Sequence, residues 1–439
     1  MATTALWAPN QGKVAQVVTG TFTVPSSVGN TYSATINGKS VTYSSVASDT
    51  AALAATGLYT LLIASEIVEF GEVTWTNPSS GVVVATAKIA GVPFANVPGT
   101  SAGLVFSTGN GLANGITTVN TTANASPSNV NDPQNWLRIT APAPGVRQLP
   151  QNTDDVVVAD TDIPMLWNLD QLAAVQFNTY TRWQSMTGAI GLPETNPLGY
   201  YEWRATYFKF SGPQGSVPSG GLVMVLGYGS GTGPGRERYN VGSQPATLVC
   251  LAAGTPLDTY GIRFLGVHTA NTFTALGGVS LGIGMLPGEV ANLTSSTLDG
   301  GATVGIGSGV TWTAGSTLTT FGGSATLGSA PATITGANGT QFIFTVTGLT
   351  WTTITVQGNC SLDWRCGGTI TTLTMSQGCF LDKASDARGL TITNHTIDGD
   401  TCLFNDPLNA ITWTNAGTVK QSVQSGPYRF TGSRTVKVT

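Results

Sequence analysis

The sequence predicts a mainly β chain in three parts. These are an N-terminal ββαββ module over residues 1–100, a Gly/Asn/Pro-rich linker over 101–150, and a right-handed parallel β-helix (β-solenoid) over 151–439. Three observations carry that reading. Charged residues make up 9% of the 439, against roughly 25% in an ordinary soluble domain, and Gly, Thr, Ser, Asn and Val fill the difference. An Asn37-Gly38 dipeptide separates two runs of alternating residues. Short β-branched triplets recur through the C-terminal half at the spacing of a solenoid rung.

The module is read from its turn chemistry. Tyr32, Ala34 and Ile36 alternate with polar residues, and Asn37-Gly38 supplies the positive φ angles of a type I′ turn. Pairing across that turn sets Ala34 opposite Val41 and Tyr32 opposite Tyr43, so one face of the hairpin is apolar. Ser48-Asp49-Thr50 is an N-cap cluster. Behind it the rows Leu53, Gly57, Leu61 and Ala54, Leu58, Leu62 repeat at i+4, giving an amphipathic helix to about Ala64. Val73 and Trp75 alternate as a strand, the turn Asn77-Pro78-Ser79-Ser80-Gly81 follows, and Val82-Val83-Val84 forms another strand. Ala90-Gly91-Val92-Pro93-Phe94 closes the module.

The linker is a composition reading, resting on Thr117 to Pro127 and on Ala141-Pro142-Ala143-Pro144-Gly145. Trp136, Leu137 and Ile139 are expected to anchor a strand inside it.

The solenoid rests on Val156-Val157-Val158, Ile354-Thr355-Val356, Leu373-Thr374-Met375, Leu390-Thr391-Ile392 and Ile411-Thr412-Trp413, the last four about 17 to 21 residues apart. Cys360 and Cys379 each fall six residues after the start of their triplet, so stacked rungs place one above the other. No charge occurs between Asp299 and Asp363. Open solenoid ends invite strand pairing. The N-terminal module, neighbouring subunits, or the tail with Arg429, Arg434 and Lys437 are expected to cap them.

Charge and cysteine usage narrow the function classes. A net charge of −4 gives no basic surface for nucleic acid. No run approaches about 18 apolar residues, so no membrane span is expected. Met1 to Trp7 lacks the basic and apolar regions of a secretory signal. The five cysteines are odd in number and contain no CxxC, so buried small hydrophobes are expected rather than a disulfide framework or a zinc site.

Two groups of phrases resemble a known family. Thr187-Gly188-Ala189-Ile190-Gly191-Leu192-Pro193-Glu194-Thr195-Asn196-Pro197 is similar to a phrase in β-helical proteins of phages and planctomycete bacteria. So are Leu362-Asp363-Trp364-Arg365 and the following Gly368-Thr369-Ile370-Thr371-Thr372-Leu373. The run Thr35 to Tyr43, the helix after it and Ile89 to Phe94 resemble small modules of phage tail and other virion proteins. The resemblance implies a virion or extracellular scaffold role and supplies no active-site residues. Cys360, Cys366 and Cys379 among the rungs depart from it.

Because phage β-helices include enzymes that cut polysaccharides, paired carboxylates are the catalytic candidates: Asp154 with Asp155, Asp160 with Asp162, and Glu194 with Glu202. The two Asp pairs sit in turn contexts and Glu194 in a Pro-flanked loop, settings that favour turn chemistry or a solvated rim over catalysis. His268 and His395 are too isolated for a triad, and the string Gly227 to Gly233 lacks the strand-to-helix context of a phosphate loop. In the aromatic cluster Trp183, Tyr200, Tyr201, Trp203, Tyr207 and Phe208, the alternation of Tyr201, Trp203 and Ala205 favours core packing. Trp183, Tyr200 and Trp203 are nevertheless the candidate glycan or interface contacts.

The expectation is a non-catalytic bacteriophage virion protein, a tail appendage of fibre or spike form or a capsid decoration protein. It would assemble in the host cytoplasm as a homo-oligomer, a trimer for preference. Its partners would be other virion proteins and a host surface glycan, with no cofactor and no metal. The alternatives are a polysaccharide-degrading tailspike and a bacterial extracellular surface scaffold.

Overall fold

The computed structural model describes residues 3–25, 27–94, 104–112, 115–140, 144–151, 153–166, 177–183, 185–186, 188–191, 207–210, 222–227, 237–251, 260–398, 401–414, 418–420 and 430–431. The chain is mainly β and contains a β-solenoid of about 9 turns. Two long parallel sheets form its walls. The first has 15 strands and runs from an edge at Trp136–Arg138 through Thr4–Trp7, Asp155–Val158 and Thr179–Arg182 up to Ile411–Trp413. The second has 11 strands, from Phe208–Lys209 to Phe430–Thr431.

The walls form because each rung alternates. Thr333–Ala337 buries Ile334 while Thr333 and Thr335 face outward, and Gln341–Phe344 buries Phe342 and Phe344. Stacking puts like on like: Ile334 lies against Ile354, and Ile354 against Leu373. One continuous apolar cluster results, from Ala5 and Trp7 to Ile411. At roughly 25 cal/mol per Å² of apolar surface, this burial is the main stabilising term.

The triplet counting succeeds for the first and last of its three steps, Leu390-Thr391-Ile392 pairing with Ile411-Thr412-Trp413 as expected, and slips at the middle one. Ile354-Thr355-Val356 pairs with Leu373-Thr374-Met375 as expected. Leu390-Thr391-Ile392 pairs instead with Gly368-Thr369-Ile370, and Leu373 meets His395. The cause is strand length. Gly368–Met375 and Leu390–Asp398 each turn a corner, so a single strand supplies two triplets. The break shows as consecutive half-buried residues, Thr371 and Thr372, in an otherwise alternating strand.

The cysteine column is present and one member longer than expected. Phe380 N donates to Cys360 O at 2.9 Å and Leu403 N to Cys379 O at 2.9 Å, which sets Cys360, Cys379 and Cys402 in successive turns. Each of the first two thiols donates to the carbonyl three residues back, Gln357 at 3.1 Å and Ser376 at 3.0 Å. All five cysteines are free and buried.

The N-terminal region folds as two antiparallel sheets and a helix around their own core. Asn37 and Gly38 take φ of 50° and 76°, and the hairpin register sets Tyr32 opposite Tyr43 and Ala34 opposite Val41. The helix Ala51–Ile63 is capped by Thr50 Oγ1, which accepts from Leu53 N at 3.3 Å. It buries the Ala54, Leu58, Leu62 row, whereas Leu53 and Leu61 of the other row are exposed. The expected hairpin, helix and second strand pair do not close a unit by themselves. Val17–Phe22 joins the sheet of Val73–Thr76 and Val82–Ala87, and Ile116–Thr122 pairs along its other edge. Val105–Gly109 pairs with Thr31–Ile36.

The region 101–150, expected as a linker, therefore carries strands. Ile116–Thr122 is Thr- and Asn-rich because it is a solvated edge strand, a composition that resembles a linker's. Trp136–Arg138, where a strand was expected, runs antiparallel to Thr4–Trp7 and covers the first edge of the solenoid wall. Trp136 meets Trp7 edge-on at 5.0 Å. The Arg429–Thr439 tail, save residues 430–431, lies outside the described residues.

Candidate functional surfaces

Of the carboxylates singled out in the sequence, the four among the described residues form no shared site. Asp154 is buried and pairs with Arg138 at 2.9 Å while accepting from Gln151 N at 2.8 Å and from the Thr3 hydroxyl. It locks the edge strand rather than facing solvent. Asp155 accepts from Asn178 Nδ2 at 2.8 Å and Thr179 Oγ1 at 2.7 Å, an inter-rung clamp. Asp160 sits in a turn at φ 52° and Asp162 is exposed. Glu194 and Glu202 lie outside the described residues.

The aromatic candidates divide. Trp183 is 58% exposed, its backbone N–H held by Val158 O at 2.9 Å at the end of a first-wall strand. Tyr200, Tyr201 and Trp203 lie outside the described residues. Phe208 is core, against Phe210 at 4.8 Å and Tyr180 at 5.9 Å. Tyr207 donates to Glu289, and burial together with that carboxylate pushes its phenol up.

Each histidine has a structural setting among the described residues. His268 Nδ1 accepts from Ala270 N at 3.1 Å, closing a turn. His395 continues the Ile354–Leu373 column and meets the Trp413 ring at 4.6 Å, and desolvation lowers its pKa.

Sequence reasoning missed a charge network inside the solenoid. Arg182 Nε lies 2.7 Å from Glu237 Oε1, both side chains buried. Tyr239 OH donates to Glu237 Oε2 at 2.9 Å, and the Tyr180 and Tyr239 hydroxyls are 3.2 Å apart. Burial pushes the Glu237 carboxyl up, opposed by the Arg182 guanidinium, the Tyr239 hydroxyl and Arg238. Arg238 donates to the carbonyls of Glu237 at 2.9 Å and Gly261 at 3.1 Å. The only sequence signal was Glu237 between two arginines. The strand Glu237–Asn240 aims Glu237 inward because Ile262 and Leu281 occupy the same column above it.

A second polar group lies outside the upper rungs. Asp363 and Asp382 are register partners in adjacent rungs, and Asn405 continues the column, donating to Asp382 at 3.0 Å. Arg365 Nε donates to Asp363 at 2.8 Å. Arg388 holds Asp386 through Nε at 2.8 Å, which keeps that carboxyl well below its ordinary range. Lys383 is buried, donating to Asp386 O at 2.5 Å, and desolvation lowers its pKa. Asp363 and Asp386 are thus held by cations, whereas Asp382 accepts from neutral donors, Asn405 Nδ2 and Ala384 N.

Among the described residues no group of three or more His, Cys, Asp or Glu side chains is placed to hold a metal ion. No described helix is long and apolar enough to cross a membrane. The class that the fold defines is the parallel β-solenoid. No protein-family model matches the chain, and no curated protein and no solved structure matches it.

Proposed function

We propose that this chain is a non-catalytic structural protein of a bacteriophage virion, a surface tail appendage or capsid decoration protein. The observation that supports it most is the solenoid's filled interior: one apolar cluster runs its length, and the inward charge of Glu237 is matched by Arg182. Such a body offers reach and stiffness, since successive described rungs are hydrogen-bonded to one another. The winding is taken as right-handed, the hand that nearly all parallel crossovers adopt. The N-terminal region, with its ββαββ series, serves as the anchor to other virion proteins. The assembly is a homotrimer formed in the host cytoplasm, and exposed Trp183 contributes to a host-glycan or subunit contact.

The test is direct. Antibody raised against the purified chain should decorate intact particles at a defined site, and native mass measurement should give a trimer. A chain absent from purified particles would overturn the reading.

One observation favours a second reading. Asp363 and Asp382 are register partners on the outer face, and a polysaccharide-cleaving tailspike works with a pair of carboxylates flanking the scissile bond. Release of oligosaccharides from host surface polysaccharide, abolished by Asp363→Asn, would establish it over the structural one.

A further inference from the structure

From the strand Thr272–Leu276 to the strand Leu390–Asp398, the outward side of the first wall is a lattice of threonines. Reading rung by rung, Thr274 pairs with Thr297, Thr297 with Thr319, Thr319 with Thr335, Thr335 with Thr355, Thr355 with Thr374, and Thr374 with Thr396. Two residues earlier on each strand a second column runs Thr317, Thr333, Thr353, Thr372 and ends at Asn394. Every one of these residues is half-buried or exposed, while the residues between them point into the core.

Three features make the wall unusual as a solvated surface. Its geometry is a two-dimensional grid, about 4.8 Å between rungs and about 6.6 Å between alternate residues of a strand. Its side chains are stiff, because β-branching restricts χ1 and the strands are held on both sides. Each threonine presents a methyl and a hydroxyl. No hydrogen bond joins a hydroxyl of either column to another group among the described residues, so the hydroxyls are available to a partner.

The wall also excludes most partners. Neither column contains a charged residue and the positions flanking them on this face include the acidic Asp299 and Asp398, so a nucleic acid, an anionic lipid or an acidic protein finds no counter-charge in the grid. No aromatic side chain stands in either column, and among the described residues the one exposed ring beside them on this face is Phe321, two residues after Thr319. A matching partner has to be neutral, flat, and periodic at both grid spacings. Solid water has these properties: the oxygen rows on the planes of hexagonal ice repeat in two directions at spacings close to these. Methyl groups favour shedding loosely held water, and the hydroxyls replace lattice water molecules at fixed positions.

We propose that this threonine wall is a binding surface for ice. The proposal is independent of where the protein is displayed, and so of the virion reading.

The experiment uses the full chain in two assays, inhibition of ice recrystallisation and uptake into a slowly grown ice hemisphere. The chain is expected to restrain grain growth and to enter the ice. Thr335→Tyr, in the middle of the grid, and Thr374→Tyr, in the same column nearer its end, are expected to lose both effects with circular dichroism unchanged. Thr326→Tyr, on the second wall, is expected to keep them. Exclusion of the unmodified chain from ice would overturn the proposal. So would full retention in both grid variants. Loss of oligomeric mass in Thr335→Tyr without any ice effect of the parent would assign the wall to contact between copies of this chain instead. Retention on crystalline cellulose without uptake into ice would assign it to a neutral polysaccharide.

Discussion

Arg182 and Glu237 meet at 2.7 Å inside the solenoid with side chains 1% and 0% exposed, the most deeply buried ion pair among the described residues. A buried pair contributes little net stability when intact, yet breaking it leaves an uncompensated charge in a low-dielectric interior. Arg182→Met should therefore cost about 3–5 kcal/mol, read from the denaturant midpoint, while Arg182→Met with Glu237→Gln should recover part of the loss. Equal destabilisation in both variants would show that packing volume, not charge, sets the cost.

The edge strand depends on Asp154. Its carboxylate ties Arg138 of Trp136–Arg138 to the first rung. Asp154→Ala is expected to cost about 3–5 kcal/mol and to uncover the edge. Amide exchange within Thr4–Trp7 should speed up well before the upper rungs respond. Unchanged exchange there would mean that Trp136 on Trp7 holds the edge without the ion pair.

His395 predicts a pH dependence. Desolvation lowers its folded pKa below the unfolded value, so the unfolded chain binds the extra proton first as pH falls. The stability that His395 contributes is present above its unfolded pKa of about 6.5 and lost as pH drops toward the folded value. His395→Leu extends the Ile354–Leu373 column and should flatten the slope of melting temperature against pH below neutrality. An unaltered slope would assign that pH dependence to other groups.

Glycines separate by what surrounds them. A Cβ on Gly307 would fall on the Gly284 carbonyl oxygen, whereas one on Gly389 meets nothing and its φ is ordinary. Gly307→Ala should destabilise strongly, because backbone and not a movable side chain is in the way. Gly389→Ala should be neutral or stabilising by about 0.4–1 kcal/mol through the unfolded chain. Comparing the two melting temperatures checks both.

The cysteines should be silent until the rungs open. The Cys360 thiol is lowered to about 7 by its hydrogen bond with Cys379, and burial pushes Cys366 to about 11, but all five are buried. An aromatic disulfide reagent should label none in the native chain and five in denaturant. Rapid native labelling would show that the turns holding the column open locally.

Alternation and turn chemistry are local, and the sequence alone determined what depends on them. It fixed the Asn37-Gly38 hairpin with its register, the Thr50-capped helix, the mainly β class, and the solenoid with stacked Cys360 and Cys379. It left undecided whatever depends on which strand comes to lie beside which. Trp136–Arg138 covers an edge formed by Thr4–Trp7, more than a hundred residues away, and nothing in either segment names the other. Leu390–Asp398 bends at a corner, which shifts the column that its first triplet joins. Glu237 looks like a surface charge among arginines until the stacking of Ile262 turns it inward onto Arg182. The threonines of the wall are scattered along the chain and align only through rungs of unequal length. Registers of that kind are set by core packing across turns, a non-local energy that no window of sequence contains.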